Sequence, residues 1–97
     1  MRNADVDDQH IPQSAIRNPQ FAAAEASYRE ALALAHRLGA KLIELRAAVS
    51  LGRLLQSHGR TAEARELLVP LYAAFTEGFD ARDLREARAL LEELENF

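Results

Sequence analysis

Glu77 and Asp80 stand three residues apart in the stretch FTEGFD, residues 75–80, between Phe75 and Phe79. Two acids in an aromatic setting are what general acid–base catalysis uses, because apolar surroundings push carboxyl pKa values apart. His10, His36 and His58 raise metal binding, and His10 follows Asp5, Asp7 and Asp8. Arg46 and Arg53 are seven residues apart. On a helix they would share one face two turns apart and could grip a carboxylate.

None of these patterns closes into catalytic machinery. Glu77 and Asp80 have no partner at a spacing that would perturb them. His36 and His58 have no second ligand at metal spacing, and the His-Glu-x-x-His run is absent. An acidic, disordered arm accounts for His10 and its aspartates. No Ser–His–Asp or Glu–Glu arrangement stands out. There is no cysteine, which removes disulfides and thiol chemistry. The reading is a protein that is not an enzyme, with no metal and no cofactor.

The elements that would carry these residues are helices. Ninety-seven residues make one small domain, 48% hydrophobic and 28% charged. Alanine, leucine, glutamate and arginine dominate, all good helix formers, and β-branched residues are scarce. The net charge of −3 is spread along the chain, without the basic stripe that a nucleic-acid binder carries. The longest apolar run, residues 67–75, is interrupted by Pro70 and is well short of the roughly 20 residues a membrane span needs. The acidic N-terminus is unlike a signal peptide, so the expected location is cytoplasmic, with neither nucleic acid nor membrane as partner.

Residues 1–17 are polar, contain Pro12, and read as a flexible N-terminal arm; residues 18–97 read as the folded domain. Asn18 and Pro19 signal the start of a first helix, and Gly39 its end. Phe21, Ala24, Tyr28, Ala31, Leu32, Ala35 and Leu38 form its apolar face. A second helix is expected over about 40–57, with Leu42, Leu45, Ala48, Leu51, Gly52 and Leu55 inward, and Gly59 beyond its end. Gly52 inside a helix is about 1 kcal/mol worse than alanine, which makes sense if a neighbouring helix passes close. Thr61 is expected to cap a third helix over about 62–76, kinked near Glu66 by Pro70. FTEGFD then reads as a joint. Gly78 ends the third helix in the left-handed conformation, Phe79 folds back on it, and Asp80 caps a fourth helix with Leu84, Ala87, Leu90, Leu91 and Leu94 inward.

Two segments repeat. FAAAEASYREAL (21–32) and TAEARELLVPLY (61–72) place Ala24 and Ala64 40 residues apart, each followed four residues on by a large side chain, Tyr28 and Leu68. Such a period signals stacked helical hairpins. Leu51-Gly52, Leu55, Gly59 and Ala64 follow the order and spacing of a tetratricopeptide repeat, whose small residues let helices approach. Leucine at 71, together with Pro70 and Tyr72, departs from that pattern. The run from Ala24 to Leu94, above all ELRAA (44–48), GRTAEAR (59–65) and FTEGFD with the leucines after it, resembles the C-terminal end of large bacterial regulators. Those proteins join a class III nucleotide cyclase or DNA-binding domain to a STAND-type ATPase and a tail of such repeats. The resemblance implies an all-α, tetratricopeptide-like superhelix of about four helices with a C-terminal capping helix, serving as an interaction or sensor surface. No phosphate-binding glycine loop is present, so the nucleotide chemistry is not carried over.

The resemblance also places Arg46, Val49, Arg53 and Gln56 on the positions that line a concave groove, here expected to take a protein or peptide. The first repeat has its second helix but no recognisable first one, so that second helix should expose apolar surface. A second copy of the chain, as an isologous homodimer, is the expected cover, with the N-terminal arm as the other. The functional expectation is a non-catalytic protein–protein interaction module. A small-molecule sensor or a purely structural homodimer are the alternatives.

Overall fold

The computed structural model describes residues 19–95, and all regular structure among them is α-helical. Helix α1 spans Pro19–Leu38, α2 Lys41–Ser57, α3 Thr61–Ala73 and α4 Arg82–Glu95. The expected arm at 1–17, the Asn18 cap and His10 lie outside the described residues. Pro19 opens α1, where its missing N–H removes no helical bond.

Two glycines shape the turns. Gly39 has φ +71° and Gly59 φ +77°, a region that side chains with a Cβ avoid. After α1, Ala40 N–H donates to the Ala35 carbonyl at 2.9 Å and Gly39 N–H to the His36 carbonyl at 3.1 Å. After α2, Arg60 N–H donates to the Leu55 carbonyl at 2.9 Å and Gly59 N–H to the Gln56 carbonyl at 3.1 Å. Both are complete Schellman endings, with the last carbonyls satisfied by the turning chain. Turns this short place consecutive helices antiparallel.

The second half of the chain departs from the sequence reading at its helix ends. Thr61 does not cap α3; it is the first helical residue, and Arg60 precedes it without a side-chain cap bond. The helix continues through Pro70 and stops at Ala73, three residues earlier than expected. Gly78 therefore does not end α3. Its φ of +78° belongs to the start of α4, where the Gly78 carbonyl accepts from Ala81 N–H at 2.9 Å. The helix starts at Arg82, and Asp80 makes no hydrogen bond to it. Phe79 does fold back, with its ring 5.8 Å from that of Tyr72, and Asp83 does lie in the first turn of α4.

Helix α2 is the centre of the molecule. It packs against α1, α3 and α4; α3 also packs against α4, whereas α1 and α3 do not pack on one another. Leu45, Ala48, Leu51 and Leu55 of α2 are fully buried, together with Ala64 and Leu68 of α3 and Ala87, Leu90 and Leu94 of α4. Burying each leucine contributes roughly 1.5–3 kcal/mol. At Gly52 α4 comes close: a Cβ there would sit 3.1 Å from Leu90 Cδ2. At the other end of α4, Arg65 Nη2 donates to the Leu94 carbonyl at 2.9 Å, satisfying one of the carbonyls a helix end leaves open. Three inward assignments fail. Ala31 is exposed, Leu42 is 40% exposed and Leu38 is 72% exposed.

Candidate interaction site

Arg46, Val49, Arg53 and Gln56 lie together on one side of α2, and α4 lies against that side. Arg46 Nη2 donates to Asp83 Oδ2 at 2.9 Å, which raises the Arg46 pKa. Gln56 Nε2 donates to Glu93 Oε1 at 3.1 Å, and Arg53 Nη1 is 3.8 Å from Glu93 Oε2. Val49 is in the core, 8% exposed. The two arginines are not paired with Glu44 or Glu63. The polar members of the set thus bridge α2 to α4, while the Arg46 and Arg53 side chains stay 62% and 47% exposed. The sequence pattern missed this because α2 carries two stripes. Leu45, Ala48, Leu51 and Leu55 form one; Leu45, Val49, Gly52 and Gln56, also at three- and four-residue steps, form the other.

Helices α1 and α3 are joined at one end and open at the other. Arg60, in the turn before α3, donates to both oxygens of Glu25 at 3.0 and 3.1 Å and to both of Glu63 at 2.8 and 2.6 Å. Arg29 Nη2 bridges the same two carboxylates at 2.8 and 3.2 Å. Burial pushes the Glu25 carboxyl up, but the hydrogen bonds from Arg60 and Arg29 outweigh it and hold it below the usual range. Glu63 is held below that range mainly by its hydrogen bonds from Arg60. The Arg60 guanidinium lies 5.6 Å from the centre of the Phe21 ring, and His58 stacks on the same ring at 3.9 Å. This cluster clasps the N-terminal half of α1 to the α2–α3 turn. No sequence motif announced it, although Arg60 and Glu63 are at ion-pair spacing.

Beyond the clasp the helices leave a cleft. One part, about 450 Å³, lies between Leu32, Ala33 and His36 of α1 and Leu67, Pro70 and Leu71 of α3. A deeper part of about 230 Å³ reaches Gly39, Lys41 and Phe75. His36 and Glu44 line both parts, with Nδ1 and Oε2 3.2 Å apart. Apart from this pair, the lining is mostly apolar.

On the opposite side of the α1–α2 pair lies an apolar strip. Leu34 is 49% exposed, Leu38 72% and Ile43 56%. At 100° per residue, Ala31, Leu34 and Leu38 lie on the flank of α1 away from Arg29, Ala33 and His36, which face the cleft. Ile43, Ala47, Ser50 and Leu54 form the matching stripe of α2, away from the residues that meet α3 and α4. This is the apolar surface of the first helix that the repeat pattern leads one to expect. The acids of FTEGFD are not drawn into a site: Glu77 and Asp80 are both exposed and have no hydrogen-bond partner among the described residues.

Among the described residues, no helix is long and apolar enough to cross a membrane, and no three His, Cys, Asp or Glu side chains gather as metal ligands do. No protein-family model matches the chain, and neither do any curated protein or solved structure.

Proposed function

We propose that this chain is a non-catalytic protein–protein interaction module of tetratricopeptide-like architecture, which works by burying the apolar strip of α1 and α2 against another polypeptide, first of all a second copy of itself. One observation carries the reading: Leu34, Leu38 and Ile43 stand exposed along one flank of an otherwise well-packed helix pair. Large apolar side chains grouped on one surface mark interaction sites more often than chance exposure does. What supports the repeat architecture is the spacing of Leu51, Gly52, Leu55, Gly59 and Ala64 in sequence, together with the close approach of α4 at Gly52. The resemblance to the terminal repeats of bacterial signalling regulators supports an interaction role over a catalytic one.

The test is the solution mass of the full chain by light scattering, beside Leu34→Glu and Leu38→Glu. The expected outcome is a dimer that the charged substitutions shift to monomer at unchanged helix content. A full chain that stays monomeric at high micromolar concentration would sink self-association. The apolar cleft between α1 and α3 favours a second reading, a sensor of small apolar molecules, since ligand sites are concave, apolar and sparsely polar. Perturbation of Leu32, Leu67 and Leu71 methyl resonances by such a ligand, with the mass unchanged, would favour it.

A further inference from the structure

The strip has a geometry of its own, and the following rests on the self-association reading above. Glu30 and Arg37 are exposed on α1 and make no ion pair or hydrogen bond among the described residues. That sets them apart, because most charged side chains near them are engaged: Glu25, Arg29, His36, Glu44, Arg46 and Arg53 all have partners. Glu30 and Arg37 are seven residues, two helical turns, apart on the same edge of α1. Leu34 lies between them, one turn from each, on the apolar flank. A charge of each sign, symmetric about a leucine, is self-complementary under a two-fold axis.

We propose that two copies pair α1 against α1 in antiparallel fashion about a two-fold axis at Leu34, so that Glu30 of each copy meets Arg37 of the other. Ala31 and Ser27 keep that flank of the helix low enough for two helices to approach. Leu38 of each copy then covers the neighbouring strip of α2.

The two ends of the molecule argue for the same symmetry. The outward face of α4 carries Arg82, Glu86, Arg88 and Glu92, joined as ion pairs one turn apart at 3.1 Å each. That face is charged, satisfied within its own helix, and offers no apolar counterpart to Leu34 and Leu38. A head-to-tail contact of α4 on α1 would leave the apolar strip against charges. A face that pairs with its own copy makes an isologous contact, and isologous contacts close at two. In size, the flanks of α1 and α2, each about 30 Å long and about 10 Å wide, offer about 600 Å² per partner, the scale of a weak, reversible interface rather than of a permanent one.

The test uses charge exchange and cross-linking in the full chain. Glu30→Arg alone and Arg37→Glu alone each place like charges together twice across the axis. Each is expected to weaken the dimer about tenfold. The two substitutions combined restore opposite pairs, and are expected to return the dissociation constant to within about threefold of the parent. The chain has no cysteine, so a single Leu34→Cys gives one reporter per copy. It is expected to form a disulfide-linked dimer under mild oxidation, whereas a head-to-tail contact would need a second cysteine, as from Ala89→Cys. A monomeric parent chain overturns both this geometry and the self-association reading. A dimer whose strength ignores both charge reversals, or which cross-links only when Ala89→Cys is added, overturns the geometry alone.

Discussion

Arg60 is the residue on which the most local interactions converge. Its side chain is 17% exposed and holds two carboxylates, one from α1 and one from its own helix start. Replacing it by alanine removes charge-assisted hydrogen bonds and leaves Glu25, 14% exposed, without its main counter-charge. The expected loss is about 1.5–3 kcal/mol in urea denaturation. Arg60→Lys should recover little, because one ammonium cannot present a fork to two carboxylates. The pH dependence follows from the depressed carboxyls. Glu25 and Glu63 bind protons more readily unfolded, near the usual 4.5, than folded. Their contribution is therefore complete above about pH 4.5 and is lost as pH falls through the lower folded values. The stability gap between the parent and Arg60→Ala should shrink between pH 5 and pH 3; a constant gap would show that these carboxylates are not its source. Gly52 makes a second residue-level case. An alanine there gains about 1 kcal/mol of helix propensity but must push a flexible Leu90 methyl by a few tenths of an ångström. Gly52→Ala is expected to be near neutral, whereas Gly52→Val, with two more carbons in the same space, should lose about 1–3 kcal/mol. Equal effects would mean that α4 is free to move away.

At the scale of the element, α3 is the helix with a built-in weakness. Pro70 is exposed, lacks an N–H for the Glu66 carbonyl, and yet the helix continues to Ala73. Pro70→Ala restores that bond without disturbing the core and should stabilise the protein by about 1–3 kcal/mol in thermal or urea unfolding. Destabilisation would mean that the proline holds α3 on its path along the cleft. The contrast between helices shows what can be read from a sequence. The bounds of α1, Pro19 and Leu38, were legible because a proline at the first position and a glycine just past the end act on the backbone itself. The joint between α3 and α4 was legible as a joint but not in its details. Gly78 is suited equally to ending one helix and to preceding the next, and only the packing of Tyr72 and Phe79 decides between them. That Arg46, Arg53 and Gln56 reach across to α4 was not legible for a related reason. A helix covered on three sides carries no polar face to say which neighbour is missing. That α1 would expose apolar surface was legible from the missing repeat partner, but not which residues would form it: the spacing puts Ala31 and Leu38 inward and leaves Leu34 out, whereas all three are exposed.

For the whole molecule, the arrangement around α2 sets a gradient of protection. Amides of Leu51 to Leu55 lie under three helices and should exchange with deuterium most slowly; those in the first half of α1, which among the described residues meet α2 and the turn after it, should exchange faster. If two copies meet through α1, its protection should rise with protein concentration while that of α2 stays level. Concentration-independent exchange in α1 would count against the pairing. The same arrangement governs how the chain is made. Each helix packs on its neighbour in sequence, and among the described residues the longest side-chain tie joins residues only 40 apart, Arg53 and Glu93. Such local connectivity belongs to chains that fold in microseconds to milliseconds. Synthesis runs from α1 to α4, so the α1–α2 hairpin can close early, while Leu45, Val49 and Gly52 wait bare for the final helix. The nascent protein thus passes through a stage with two open apolar sides, one closed by its own last fourteen-residue helix and the other left for assembly.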